Sequence, residues 1–216
     1  LPGIVGGIIC PAIIEEGGRR GRPEAYEKLL KDSLIVFCFL TLPMLILLLF
    51  WRSGIFMMYG RSYAGASELF VPLVASIGIG LMASPAQFAM LAKSRIWQLQ
   101  GLGVIKAAAL LGFAYLWVPR YLAHGLGWTF FVAEAVFAVS LQEYGIRREV
   151  LPSSVRAPFY GSLAGMAAIV WAAIGLRVTL AELLSIPACL AVVVFLMRCY
   201  PRTGSWIIQA APASQA

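Results

Sequence analysis

Apolar positions in this chain do not alternate with polar ones or recur on one helical face; they run together. Between charged residues lie uninterrupted stretches of 19 residues (33–51), 24 (69–92) and 20 (157–176). A helix rising 1.5 Å per residue needs about 20 residues to cross roughly 30 Å of hydrocarbon. Weaker apolar runs, separated by turn-forming residues, extend the pattern. It predicts one partial crossing and six complete ones, at 1–14, 33–51, 69–92, 101–118, 127–143, 158–176 and 180–197. The fourth and fifth each carry one ionisable residue, Lys106 and Glu134. The expected fold is an all-α, polytopic transmembrane bundle of about seven spans.

Composition agrees, since 61% of residues are hydrophobic and 12% charged, about half the charged share of a soluble domain. A net charge of +7 might suggest nucleic acid, but the Lys and Arg sit in short loops and form no basic stripe that could track a phosphate backbone. Their distribution instead orients the chain. Twelve lie in the connections 15–32, 93–100 and 144–157 and in the tail 198–216, against four in the alternate set 52–68, 119–126 and 177–179. Positive charge is retained on the cytoplasmic side, so the C-terminus is expected to be cytoplasmic. The opening Leu1-Pro2-Gly3, with no basic flank before its apolar run, reads as the tail of a span, and the chain as a C-terminal fragment. Cys10, Cys38, Cys189 and Cys199 lie in or beside apolar runs without CxxC spacing and read as packed or lipid-facing thiols.

The first connection combines a flexible basic turn, Gly17 to Arg22, with Pro23 at the first position of a helix. Glu24/Lys28 and Glu27/Lys31 then pair at i,i+4, which predicts a short amphipathic helix over 23–32 lying on the inner leaflet against membrane lipids. Inside the spans, Pro43, Pro72, Pro85 and Pro187 each remove a helical hydrogen bond and mark expected bends. Gly161 and Gly165, beside Ala164, Ala168 and Ala172, mark the 158–176 span as able to pack closely on a neighbour.

Little here can carry covalent chemistry. With one His (His124) and one Asp (Asp32) at opposite membrane faces, neither a metal centre nor a Ser/His/Asp triad can be assembled. The glycine pairs 78/80, 101/103 and 125/127 lack the third glycine of a dinucleotide loop, and no Walker loop occurs. The expectation is therefore no catalytic residue, metal or cofactor. What remains is polar groups inside the membrane, where an ionisable side chain costs several kcal/mol unless it faces water or a partner. Glu134, about 10 Å into its span, either stays protonated against a carbonyl or meets Lys106, which the antiparallel neighbour brings to within about 6 Å of its level. Lys106 could instead extend to the inner interface. Gln87 follows Pro85 closely enough to bond a carbonyl that the proline frees, and His124 is expected to be a solvated residue of an outer turn.

Three phrases have a common likeness. Pro11-Ala12-Ile13-Ile14-Glu15-Glu16, a basic turn and Ala25-Tyr26-Glu27-Lys28-Leu29-Leu30-Lys31 come first, then Tyr59-Gly60-Arg61-Ser62-Tyr63-Ala64-Gly65-Ala66, then Pro119-Arg120-Tyr121 with Gly125-Leu126-Gly127-Trp128. In order and spacing this resembles the second half of polysaccharide and lipid-linked oligosaccharide flippases of the multidrug/oligosaccharidyl-lipid/polysaccharide exporter superfamily. Leu122-Ala123-His124 lengthens the last phrase, and Lys93-Ser94-Arg95 replaces the family's frequent Gly-Arg turn. The resemblance implies two six-helix bundles around a central cavity. It makes 1–143 part of the second bundle, 144–197 the two additional helices of a fourteen-helix member, and 198–216 a cytoplasmic tail. It implies a multi-pass protein of the bacterial inner membrane that flips a polyprenyl-pyrophosphate-linked sugar by alternating access, partnered by the N-terminal half that precedes this segment. Glu134, Lys106 and Gln87 would line the path, with Pro43, Pro85 and Pro187 as bends. Two rivals are a cation-coupled multidrug exporter of the same superfamily, which would want more membrane acids, and a membrane-embedded sugar ligase or acyltransferase, which would want a larger outer loop than 52–68.

Overall fold

The computed structural model describes residues 11–15, 23–59, 67–175 and 178–199 of the chain. Among these residues there is no strand. A helical segment at 11–15 precedes α1 (Pro23–Phe50), α2 (Arg52–Tyr59), α3 (Ser67–Ala92), α4 (Ile96–Arg147), a 3-10 turn (Ser153–Val155), α5 (Arg156–Gly175) and α6 (Val178–Cys199). Four stretches are long and apolar enough to cross a membrane: Glu24–Phe50, Leu69–Ala92, Ile96–Arg147 and Ser153–Gly175, with a shorter apolar stretch, Leu184–Phe195, in α6. The basic turn at 19–22, the 60–66 turn and the tail from 200 lie outside the described residues.

Two expectations about element boundaries are corrected. The amphipathic helix over 23–32 is not a separate element, because α1 continues from Pro23 to Phe50. Nothing between Lys31 and Ser33 breaks it. Ser33 donates to the Leu29 carbonyl within the helix at 2.6 Å, and Tyr26, Leu30 and Leu34 form one buried stripe. The loop expected at 119–126 is helical on both sides of one residue, Leu122, whose φ of 50° and ψ of −129° interrupt α4.

That interruption reverses the chain. Lys106 and Glu134 form an ion pair across α4, although in a straight helix 28 positions would separate them by about 42 Å. α4 is thus a hairpin of two arms, 96–121 and 123–147, with Leu122 at the bend. Gly125 is what lets the arms meet so tightly, since a Cβ there would sit 2.6 Å from the Trp117 carbonyl oxygen. The reversals on either side of α4 use a different device. Ser94 (φ 54°) and Glu149 (φ 56°) occupy the left-handed region, and the bonds Arg95 N–H to Met90 O, Ser94 N–H to Leu91 O, Val150 N–H to Gly145 O and Glu149 N–H to Ile146 O make each a Schellman cap.

Contacts between elements fix the directions. Gly127 faces Pro72 and Gly80 faces Glu134, so the return arm of α4 runs parallel to α3. Trp51 bonds Ser185 at 2.8 Å and the Cys189 thiol lies 3.4 Å from the Pro43 carbonyl oxygen, so α6 runs antiparallel to α1. One end of the bundle then collects the start of α1, the 93–95 turn, the end of α4 and the start of α5. It is tied by Ser154 to Glu27 (2.6 Å), Lys93 over the Tyr26 ring (4.8 Å), and Arg156 and Tyr160 to Glu143 (2.7 and 2.9 Å). Lys28, Lys31, Lys93, Arg95, Arg147, Arg148 and Arg156 gather there, whereas Arg52 and Arg120 lie at the other end.

A single apolar core joins α1, α3, the return arm of α4 and α5, through Leu45, Ile79, Met82, Leu141 and Met166 among others. The two C-terminal helices are part of this arrangement, α5 packing on α1 and α3 and α6 on α1. Among the described residues, none comes within 4 Å of a Cβ added at Gly161 or Gly165, where close packing was expected.

Candidate functional site

The centre of interest is where the two arms of α4 meet α3. The Lys106 ammonium and the Glu134 carboxylate pair directly, and the ammonium also stands 5.3 Å from the centroid of the Phe137 ring, one turn beyond Glu134. A cation over a ring face gains further attraction where water is sparse. The other carboxylate oxygen, Oε1, is turned toward Gly80, where an added Cβ would come within 3.2 Å of it. Glycine at this position makes room for a charged group that any larger residue would crowd. Ser84 Oγ donates to the Gly80 carbonyl at 3.0 Å, one turn away on the same helix.

The pair is asymmetric in exposure, 39% for the Lys106 side chain and 14% for that of Glu134. The carboxylate is held inside the packing and the ammonium borders open space. Gly80 lies at the middle of the 26-residue α3, a helix about 39 Å long, so the pair sits near mid-length and well away from either end. An ion pair buried there is costly unless its geometry is good and it has further partners.

Gln87 is not brought into this group. It is half-buried on α3, seven residues from Gly80 toward the basic end. Pro43, Pro72, Pro85 and Pro187 lie inside helices that continue through them. Among the described residues, non-helical dihedrals inside a helix fall at Leu122, three residues after Pro119. His124 is exposed as expected, but it is not merely solvated: its Nε2 accepts a hydrogen bond from Trp128 Nε1 at 3.0 Å. Cys189 is a free thiol; Cys10 and the side chains of Cys38 and Cys199 lie outside the described residues. No group of three or more His, Cys, Asp or Glu able to hold a metal occurs among the described residues.

Sequence reasoning reached Lys106 and Glu134 but missed Gly80 and Phe137. A signal existed for the first: Gly78 and Gly80 stand two apart in an apolar span, and glycine in a helix interior costs about 1 kcal/mol relative to alanine unless something occupies the space it leaves. Here Leu45 lies against Gly78 and Glu134 against Gly80. No protein-family model, curated protein or solved structure matches this chain.

Proposed function

We propose that this chain forms part of a bacterial inner-membrane transporter that flips lipid-linked oligosaccharide or polysaccharide precursors, carried on a polyprenyl pyrophosphate, by alternating access and without covalent chemistry. The observation that carries the reading is the Lys106–Glu134 pair. Ionisable groups at mid-span are expensive and characteristically mark the path of a polar substrate or coupling ion, and transporter sites lie near the bilayer midplane. The resemblance of the three phrases to the flippase superfamily supports the same reading. So does the gathering of basic residues at one end, which this proposal assigns to the cytoplasm together with the C-terminus. In this scheme seven spans, the last two being α5 and α6, belong to the second half of a fourteen-helix protein, and a first bundle from the N-terminal half completes the cavity.

The test is transport by the protein expressed from its own gene and reconstituted in liposomes with a fluorescent lipid-linked oligosaccharide. Glu134→Gln keeps the shape and removes the charge, so it should cut flipping about tenfold or more with an undiminished amount of folded protein, the scale of losing one well-placed interaction of about 1.4 kcal/mol. The exchange of Lys106→Glu with Glu134→Lys restores a pair of opposite charges. It should recover folding and leave transport impaired if the pair lies on the path. Normal flipping by Glu134→Gln would reduce the pair to packing, and release of a covalent sugar or acyl product would establish the ligase or acyltransferase reading. Glu134 is also the kind of group a cation-coupled exporter uses. Cation-gradient-driven drug export without lipid movement would favour that alternative.

A further inference from the structure

A helix that borders lipid keeps its polar groups near its ends, where water is close. α3 does the reverse. Between Leu69 and Ala92 every buried residue is apolar, and the three polar ones, Ser76, Ser84 and Gln87, are all part-exposed. With Gly80 they fall within an arc of about 80° at 3.6 residues per turn. They occupy the middle of the helix, with the exposed Leu73 and Leu91 beyond them at either end. The Lys106–Glu134 pair rests on this same stripe, because Glu134 Oε1 lies against Gly80.

The serines by themselves would tolerate hydrocarbon, since Ser76 Oγ donates to the Leu73 carbonyl at 2.8 Å and Ser84 Oγ to that of Gly80 at 3.0 Å. Gln87 and Lys106 would not. A glutamine amide has two donors and an acceptor oxygen to satisfy. The Lys106 ammonium is held at Glu134, so it does not extend to the interface, yet its side chain is 39% exposed near mid-span. The other uncovered faces are of a different kind: Ala164, Ala168 and Trp171 on α5, and Val104, Ala108 and Leu111 on the first arm of α4, are exposed and suit lipid. The polar stripe is also one-sided. Toward the basic end, Ser84 and Gln87 continue it for about 6 and 10 Å past Gly80, and Gly103, on the same side of Lys106, has no described neighbour within 4 Å of a Cβ. In the opposite direction Ser76 gives way to the exposed Ile77 and Leu73, and rings close the space between the arms of α4, Phe113 on Trp117 at 5.0 Å and Phe131 on Trp128 at 5.4 Å.

We infer that the Gly80–Ser84–Gln87 face of α3 is the wall of a water-filled vestibule that reaches the Lys106–Glu134 pair from the basic end of the bundle and stops there. It rests on the transport reading only for its purpose, which is to let water and polar solutes meet the pair from one side of the membrane. The test is cysteine accessibility in the full-length protein, in its own membrane, with the native cysteines replaced by alanine. A thiol reacts as the thiolate, which forms in water and is suppressed in apolar surroundings. Ser84→Cys and Gln87→Cys should therefore react with N-ethylmaleimide about tenfold or more faster than Leu111→Cys and Ala164→Cys on the lipid-suited faces. A membrane-impermeant methanethiosulfonate should block both when added from the side that labels Ser153→Cys, in the turn at the basic end, and neither from the other side. Labelling after denaturation counts the thiols in each variant. Should Gln87→Cys not reach the membrane, Ser84→Cys, which exchanges one atom, decides alone. Stripe positions as slow as Leu111→Cys would mean that lipid or another protein segment covers this face, and blocking from the opposite side would reverse the direction of access; either result overturns the vestibule. Flipping measured in parallel separates the two ideas: an accessible stripe in a protein that flips nothing removes the transport reading alone, and flipping with an unlabelled stripe removes the vestibule alone.

Discussion

The two arms of α4 have similar length and similar apolar content but opposite fates. Of the buried residues in α4, Leu102 alone belongs to the first arm, while Gly125, Gly127, Thr129, Ala133, Phe137, Ala138, Leu141, Gln142 and Gly145 all belong to the return arm. In the first arm Trp97, Val104, Leu111 and Tyr115 are 68% exposed or more. Small residues alone do not explain the difference. Among the described residues, Gly101, Gly103 and Gly112 in the first arm have no neighbour within 4 Å of a Cβ, whereas Gly125, Gly127 and Gly145 in the return arm are each filled by an adjacent group. What separates the arms is order. In the return arm, Gly125, Thr129, Ala133, Phe137, Leu141 and Gly145 recur every four residues as a single buried ridge, and beside it Gly127 and Glu134 meet Pro72 and Gly80 of the parallel α3. Since lipid is as apolar as leucine, helices in a membrane associate by fit rather than by hydrophobicity, and an arm without a matching ridge stays in contact with its surroundings.

Truncation should expose this contrast most strongly. Leu141→Ala leaves a cavity at a fully buried position and should lower stability by about 2 kcal/mol or more, while Leu111→Ala, 71% exposed, should change it by less than about 0.5 kcal/mol. Unfolding in micelles would measure both, and equal effects would erase the distinction between the arms. A smaller effect is expected from overfilling. At Gly127 an added methyl would meet the Pro72 ring at 2.8 Å, a ring that cannot rotate away, so Gly127→Ala should cost about 1–3 kcal/mol. Gly112→Ala faces open space and should be neutral or stabilise by up to about 1 kcal/mol through helix propensity. A loss at Gly112 matching that at Gly127 would mean that the first arm has a close partner in the membrane. Smallest of all, Thr129→Val removes the 2.8 Å bond from Thr129 Oγ1 to the Gly125 carbonyl while keeping the side-chain shape. It should cost about 0.5–1 kcal/mol, and a larger loss would show that this bond helps hold the bend.

The sequence by itself determined that the chain is helical and apolar enough to span a membrane, because run length and the scarcity of charge leave few alternatives in either solvent. It also placed α5 and α6 to within a few residues, and counting rise per residue from the membrane faces it put Lys106 and Glu134 within about 6 Å of one level. The tight hairpin leaves little freedom in register, and the two side chains pair across it. Other features were settled only by the tertiary structure. A continuous α1 replaced a separate amphipathic helix because its polar first turns found partners across the bundle, with Glu27 accepting from Ser154. The turn expected over 119–126 contracts to the single residue Leu122, a residue with no turn signal of its own, because the bend depends on Gly125 meeting a carbonyl eight residues earlier. Gly80 as the seat of the Glu134 carboxylate has the same origin. Each is a contact between segments whose sequences carry no mark of one another, and such contacts are decided by packing geometry rather than by local preference.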